Sequence, residues 1–323
     1  MSNKSNNQGR AYEFACLKSL ENAISKIRSV DIPRNSSFQA AESAWGTLDD
    51  QEKKLYLLSA DSIIPTIFAM EPNIVEKGES PLILYIQTDD RGKEADVRDI
   101  IIHRDDIIWE IGLSIKHNHE AVKHSRLSRQ RDFGEAWYGV KCSDSYWKEV
   151  GPIFSLLETM QKQGLYFREI TSKEDDIYLP ILQSFIKEIE RAEKSDKSIS
   201  SRLVAYLLSK YDFYKVISID LKQITTIQSF NMYGTLNRAS RTKKPDITTP
   251  TIKLPTELIH IGLKTNSKTT VLMCFDNGWQ FSFRIHNAKD KIEPSLKFDI
   301  QIIGMPIEVN IKYNCPWNKS ISK

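Results

Sequence analysis

Residues 95–124 read ADVRDIIIHRDDIIWEIGLSIKHNHEAVKH. Apolar residues dominate 100–102 and 107–115 around a charged His103-Arg104-Asp105-Asp106, which predicts two short strands, roughly 97–103 and 107–116, joined by a tight turn. Side chains alternate along a strand, so Glu110, Gly112, Ser114 and Lys116 share one face. A glycine on that face lets another group approach the backbone closely. Asp96 and Asp99 stand at the start of the first strand, and one of them lies across from this face. Which one depends on the register, and a slip of one residue reverses the answer. Carboxylate oxygens beside an ammonium are what metal-assisted phosphodiester hydrolysis requires: hard ligands for a hard cation and a positive charge next to the phosphate. Glu110 precedes Lys116 by about 20 Å of extended strand, so its expected role is a salt bridge or orientation. Asp and Lys at strand ends are commonly solvated turn residues, but Lys116 closes an apolar strand and leads straight into a polar cluster.

That cluster holds His117, Asn118, His119, Glu120, Lys123, His124, Arg126 and Arg129. Read as a helix over 119–131, it brings Glu120, Lys123, His124 and Leu127 to one broad side with Arg126 and Arg129 nearby, a natural rail for phosphates. The competing reading is a solvated helix face. His117 and His119 are spaced like a metal pair, yet no cysteine lies near them to complete a zinc site.

The whole chain bounds these readings. Its 323 residues are 40% hydrophobic and 27% charged, enough for one large domain or two ordinary ones. A net charge of +3 means that any polyanion site must come from local clustering. Cys16, Cys142, Cys274 and Cys315 form no Cys-x-x-Cys pair, which fits reduced thiols in a cytoplasmic protein. The polar start MSNKSNNQGR lacks a signal core, and no apolar run approaches the ~18 residues needed to span a membrane.

Phe14, Leu17, Leu20 and Ile24 predict a first amphipathic helix within 11–30, and 37–70 reads as further helices with Asp49 as an N-cap. Residues 82–87 read as a buried strand, and 145–215 as helical again. Beyond 215, Ile, Thr and Val rise, and strands are expected at 258–264, 269–275, 279–286 and 296–303. The expected organisation is 1–215 as a core with N-terminal helices and 216–323 as a β-rich region, either a subdomain or a continuation of that core.

Three blocks carry a family resemblance: NNQGRAYEFACLKSL at 6–20, with Gly9, Arg10 and Glu13; DVRDIII…WEIGLSIKHNHEAVKHSRLS; and FDNGWQFSFRIHNAKDKIEPSLKFDIQIIGMP at 275–306. Together they resemble the HaeIII-type restriction endonucleases, which cut double-stranded DNA at GGCC. The resemblance implies a PD-(D/E)xK-like α/β (α+β mixed) fold, a mixed sheet flanked by helices, followed by a β-rich C-terminal DNA-recognition region. It also implies Mg²⁺ held by a strand Asp, here Asp99 with Asp96 as rival, and a catalytic Lys, here Lys116. Ser114 stands where the pattern has an acidic residue, so a helix-borne Glu13 or Glu120 is expected to supply the missing carboxylate. Hydrolysis leaving 5′-phosphate ends, action as a monomer or homodimer in the bacterial cytoplasm, and a cognate methyltransferase that shares the site without binding this chain are further implications. The alternative is a DNA-binding protein on the same fold whose site is dead because of Ser114.

Reading G·C pairs needs donors to guanine O6 and N7 and acceptors for cytosine N4. Candidates are Trp279, Gln280, Arg284, His286, Asn287 and Lys297 on or beside the strand 279–286, whose polar positions alternate with aromatic ones. Asn231, Tyr233 and Asn237 in the loop NMYGTLNRASRTKK (231–244) form a second candidate reader, and Arg10 a further DNA contact.

Overall fold

Short β-branched runs bounded by turn residues give most of the strands, and the computed structural model, which describes residues 2–88, 96–118 and 123–317, shows how they pair. In chain order they are β1 (Val30–Asp31), β2 (Leu82–Ile86), β3 (Ile100–Arg104), β4 (Trp109–His117), β5 (Lys123–Ser128), β6 (Phe213–Ile219), β7 (Ile224–Phe230), β8 (Leu258–Leu263), β9 (Thr270–Phe275), β10 (Gln280–His286), β11 (Ser295–Gly304) and β12 (Lys312–Pro316). They form a mixed sheet in the order β1-β2-β3-β4-β6-β7-β12 and an antiparallel sheet in the order β5-β11-β10-β9-β8. The chain divides into two units, Met1–Glu120 with Ser209–Ile252 and Ile307–Lys323, and Ala121–Leu208 with Lys253–Pro306. Among the described residues no helix is long and apolar enough to cross a membrane.

The expected mixed sheet flanked by helices is the first unit. Helix α1 (Ser2–Ile24) buries Phe14, Leu17, Leu20 and Ile24 against Leu84, Ile102, Leu113 and Ile115 of the sheet. Helices α2 (Ser36–Gly46), α3 (Asp50–Ser62) and α4 (Ile64–Met70) follow. Asp49 caps α3 as expected, in a capping box with Glu52. The boundary expected between 215 and 216 is corrected, because it cuts β6, which pairs in parallel with β4 and antiparallel with β7. The rise of Ile, Thr and Val after 215 marks the completion of the first sheet rather than a new domain.

The second unit holds the four expected C-terminal strands. It also contains a correction: the helix predicted over 119–131 is replaced, in its described part, by strand β5. Ser125 and Leu127 point inward while Arg126 points out. That period of two pairs with β11, and it overrides the spacing of charges that suggested a helix. The core of this unit is aromatic, with Phe133, Trp137, Phe185, Phe283 and Phe298 in mutual ring contact.

One buried carboxyl fastens the loop after β7. Glu71 is fully buried, and its Oε1 accepts from the Tyr214 hydroxyl at 2.7 Å and the Asn237 backbone N–H at 2.6 Å, while Oε2 has no partner. Burial outweighs those two hydrogen bonds and raises its pKa from the ordinary 4.5 to about 7. Asn237, in the left-handed region at φ 59°, donates from Nδ2 to the carbonyls of Met70 and Ile247.

Because the folded state holds the Glu71 proton more tightly than the unfolded chain, its contribution is fully present below about pH 4.5 and is lost as pH rises through about 7. Glu71→Gln keeps the acceptor but cannot ionise. Relative to the wild type it is expected to gain stability across that window, by roughly 3 kcal/mol at its upper end at ~1.4 kcal/mol per pKa unit. Urea denaturation at a series of pH values reads this difference; parallel curves for the two proteins would refute it.

Candidate active site

The register of the β3–β4 hairpin decides between the two aspartates. Ile100 pairs with Leu113, and the chain continues the ladder one step further, with the Asp99 N–H donating to the Leu113 carbonyl at 2.8 Å. On the other side the Gln87 N–H donates to the Asp99 carbonyl at 2.9 Å. Asp99 therefore stands across from Ser114, on the Lys116 face. Its Oδ2 accepts from the Ile115 backbone N–H at 2.6 Å and from Lys116 Nζ at 3.1 Å, with Ser114 Oγ 3.5 Å away. Both side chains of the ion pair remain about a quarter exposed, so the site is open on one side.

Burial pulls the Lys116 pKa down, but the negative charges of Asp99 and Glu13 outweigh it and hold the group above its ordinary range. Lys116 is thus an ammonium at neutral pH, suited to binding and orienting an anion and unsuited to accepting a proton. Glu13, half-buried on α1, belongs to the same electrostatic neighbourhood. Burial first, and then Glu13, Asp99 and Asp61 together, push up the Cys16 thiol on the next turn of that helix. Among the described residues no group of three His, Cys, Asp or Glu side chains converges as a metal nest. Asp99 and Glu13 are the carboxylates whose charge acts on Lys116, and Mg²⁺ is commonly held by one or two carboxylates, with waters and substrate phosphate completing its shell. The donor chemistry fits that ion.

His117 and Asn118, expected at the DNA, are engaged within the protein. His117 lies against Tyr56 and Tyr12 with ring centroids 4.8 and 5.7 Å apart, and its Nε2 is 2.8 Å from Asp220 Oδ2. Asn118, at φ 53°, donates from Nδ2 to the same Asp220 oxygen at 2.9 Å and accepts the Asp220 backbone N–H. Burial opposes ionisation of Asp220, yet these partners keep its pKa below the ordinary range. His119 and Glu120 lie outside the described residues.

Asp96 as rival metal ligand is corrected. It is buried, and its two oxygens accept from Arg98 Nε and Nη2, each at 2.8 Å. Arg98 Nη1 donates to Glu110 at 2.8 Å, so Glu110 has the salt bridge expected of it. The close approach expected at Gly112 is the stem of Arg98: a Cβ at 112 would sit 2.0 Å from Arg98 Cδ. The sequence reading named the glycine and missed its partner.

Of the expected DNA readers, several are structural. Trp279 is buried and donates from its indole to the Lys253 carbonyl. Asn231 is buried, its Oδ1 accepting from the Leu236 N–H, and Asn237 is fixed as described above. Asn287 is held by the Tyr178 hydroxyl and the Lys289 carbonyl. Trp279 and Asn231 are buried, and Asn237 and Asn287, half-buried, spend their amide groups on the protein itself. Tyr233 and Gln280 are exposed, and Arg10, on α1, is half-buried. On β10, Gln280, Ser282, Arg284 and His286 alternate with buried Phe281, Phe283 and Ile285, as expected. Pairing then adds a relation that the sequence hid. Arg126, Lys297 and His286 stand in one row across β5, β11 and β10, and His124, Asp299 and Arg284 in the adjacent row, with Lys123 one step further along β5. Arg126 also pairs with Glu293 and Arg284 with Asp299.

Comparison with known proteins gives a consistent picture. A family model described as HaeIII restriction endonuclease matches residues 9–306. The chain is 51% identical over 320 residues to the type II restriction enzyme HaeIII of Haemophilus aegyptius, covering 99% of this chain and 100% of that protein. No solved structure matches it.

Removing one partner of a buried ion pair strands the other, at a cost of about 3–5 kcal/mol. Asp96→Asn is expected to lower stability by up to that amount, and Gly112→Ala to do the same by evicting Arg98. Thermal or urea unfolding measures both; a Gly112→Ala protein as stable as the wild type would refute the close-packing account.

Proposed function

Since the chain belongs to the HaeIII restriction endonuclease family, we propose that it cleaves double-stranded DNA at GGCC by Mg²⁺-dependent hydrolysis, leaving 5′-phosphate ends, on a PD-(D/E)xK-type centre. The carrying observation is the Asp99–Lys116 pair at the mouth of the β3–β4 hairpin, with Glu13 of α1 adding a second carboxylate charge. Asp99 and Glu13 would hold the ion. When bound, it polarises a phosphoryl oxygen and lowers the pKa of a water ligand.

The residues of the chain divide the remaining work. Lys116, kept charged, binds a non-bridging phosphate oxygen, orients the attacking water and offsets charge that builds on phosphorus. The Ile115 N–H fixes Asp99 Oδ2 beside Lys116. Ser114 is buried and neutral, so it adds a hydroxyl beside Asp99 and no charge. The outer face of the β5-β11-β10 sheet, where Arg126, Arg284, His286 and Lys297 lie, suits contact with the DNA backbone and bases. We place the activity in the bacterial cytoplasm, with a cognate methyltransferase acting on the same GGCC sequence.

Plasmid DNA incubated with the purified protein and Mg²⁺ tests the reading. Discrete fragments ending within GGCC are expected, and binding without cleavage would instead favour an inactive DNA-binding protein. Lys116→Ala should lower the cleavage rate by roughly 10²- to 10³-fold or more while DNA affinity changes only a few-fold. Loss of binding in parallel with cleavage would show that the role of Lys116 is misassigned.

A further inference from the structure

Beyond the Lys116 end of β4, the turn between β6 and β7 carries Leu221, the most exposed large apolar side chain among the described residues. Lys116 pairs with Ile217 and His117 with Ser218 in the parallel β4–β6 ladder, so the turn Asp220–Lys222 leaves the sheet at the same end as Lys116. Neighbouring strands lie about 4.8 Å apart and each residue rises about 3.3 Å, which puts the Leu221 Cα within about 14 Å of the Lys116 Cα. The turn is fastened on both sides. Asp220 is tied to His117 and Asn118 as described above, and the Asn118 N–H donates to the Ser218 carbonyl at 3.0 Å. The Gln223 N–H donates to the Asp220 carbonyl at 3.1 Å, and the Gln223 carbonyl accepts from the Trp317 N–H at 3.0 Å. Leu221, Lys222 and Gln223 are left as the exposed residues of this held turn. A leucine fixed in water gains nothing from the fold, because its apolar surface remains unburied.

A second turn of the same kind gives the contrast. Ile108, after the turn Asp105–Ile107, is almost as exposed, and Ile108 and Gln223 both close their turns at φ 49°. Ile108, however, lies at the opposite end of β4, about 26 Å of strand from Lys116. Its turn exposes the Asp105 carboxylate, which a polyanion repels. The Leu221 turn presents Lys222 instead, and it stands beside the candidate centre.

We propose that Leu221 is a wedge that inserts between two stacked base pairs of the bound duplex, while Lys222 meets a neighbouring phosphate. The inference rests on the nuclease reading above and deepens it, and every residue in it belongs to the first unit. Apolar side chains such as leucine open base steps in this way, and the bend they leave brings more of the duplex onto the protein. Burying the leucine between bases recovers the apolar contact that the folded chain leaves unmade, which offsets part of the unstacking cost. Base pairs follow one another at about 3.4 Å, so a duplex with its scissile phosphate at Lys116 meets the tip within roughly four base pairs of the cut. The opened step therefore lies inside GGCC or close beside it. Because the turn is bonded to His117 and Asn118, seating the leucine also fixes the duplex against the strand that carries Lys116.

The test uses the full chain on short GGCC duplexes that carry, at one position at a time, a base analogue that brightens when unstacked. The analogue is 2-aminopurine in the flanks and pyrrolocytosine within the site. Binding is read with Ca²⁺ in place of Mg²⁺, and cleavage is timed separately with Mg²⁺. With the wild type, a position within roughly four base pairs of the cut is expected to brighten. Leu221→Ala should abolish that signal and slow cleavage by roughly 10- to 100-fold, the scale set by the cost of unstacking one step. Leu221→Met, still a wedge, and Ile108→Ala, on the far turn, should keep both at wild-type levels. All three substitutions fall on exposed positions, where no packing contact is lost. A signal that persists in Leu221→Ala, cleavage by that variant at the wild-type rate, or an equal loss in Leu221→Met or Ile108→Ala would overturn the wedge. So would a wild type that cuts at GGCC and brightens no position. A wild-type protein that does not cut at GGCC would overturn the nuclease reading itself, a separate result.

Discussion

The structure of the first unit depends on where one carboxylate oxygen lies. Asp99 Oδ2 gathers the Ile115 N–H and the Lys116 ammonium onto a single atom at the edge of the β3–β4 ladder. Such a geometry holds only if the backbone on both sides is immobile. Gln87 and Leu113 supply that through hydrogen bonds to the Asp99 carbonyl and N–H. Just before it, the Asp96–Arg98–Glu110 ion pairs lay Arg98 flat across Gly112. Charge-assisted hydrogen bonds in a partly buried setting are worth more than their exposed counterparts. The result is an aspartate beside Lys116 whose position is determined from three sides.

Much of this was legible in the sequence, and the part that was not has a definite cause. The two strands and the shared face of Glu110, Gly112, Ser114 and Lys116 follow from period-two alternation. Choosing between Asp96 and Asp99 does not, because a one-residue shift satisfies the same apolar pattern. The discriminating clue was Arg98, the cation that occupies the space Gly112 leaves and binds Asp96. The segment 123–128 was misread for a related reason: its charges fit helical spacing as well as alternation, and only the β11 partner makes alternation favourable. Trp279, Asn231, Asn237 and Asn287 show a further limit. Residue type reveals hydrogen-bonding capacity, while the partners that use it up are set by contacts distant in sequence.

The same contacts create relations that no local pattern could predict. Arg126 and Lys297 are far apart in the chain yet adjacent across β5 and β11, and His286 continues their row on β10. Basic residues read as two separate motifs are one face of one sheet.

Ser114 gives the centre its distinctive physics. A carboxylate two residues before the lysine would ride on the same rigid strand, and its distance from Lys116 would be fixed by the pleat. With a neutral hydroxyl there, the second negative charge comes from Glu13, and its distance from Lys116 depends on how α1 seats against β4. The residues adjoining each partner set that seating. Tyr12, next to Glu13, packs on His117, next to Lys116, and both meet Tyr56. The Tyr12 hydroxyl continues through Ser59 to Thr225 of β7, and Asp220 holds the far side of His117. The histidine that resembles a metal or DNA ligand in the sequence thus joins helix to strand. The charge balance around Lys116 is a consequence of tertiary packing, where a strand-borne carboxylate would have made it a local property of β4.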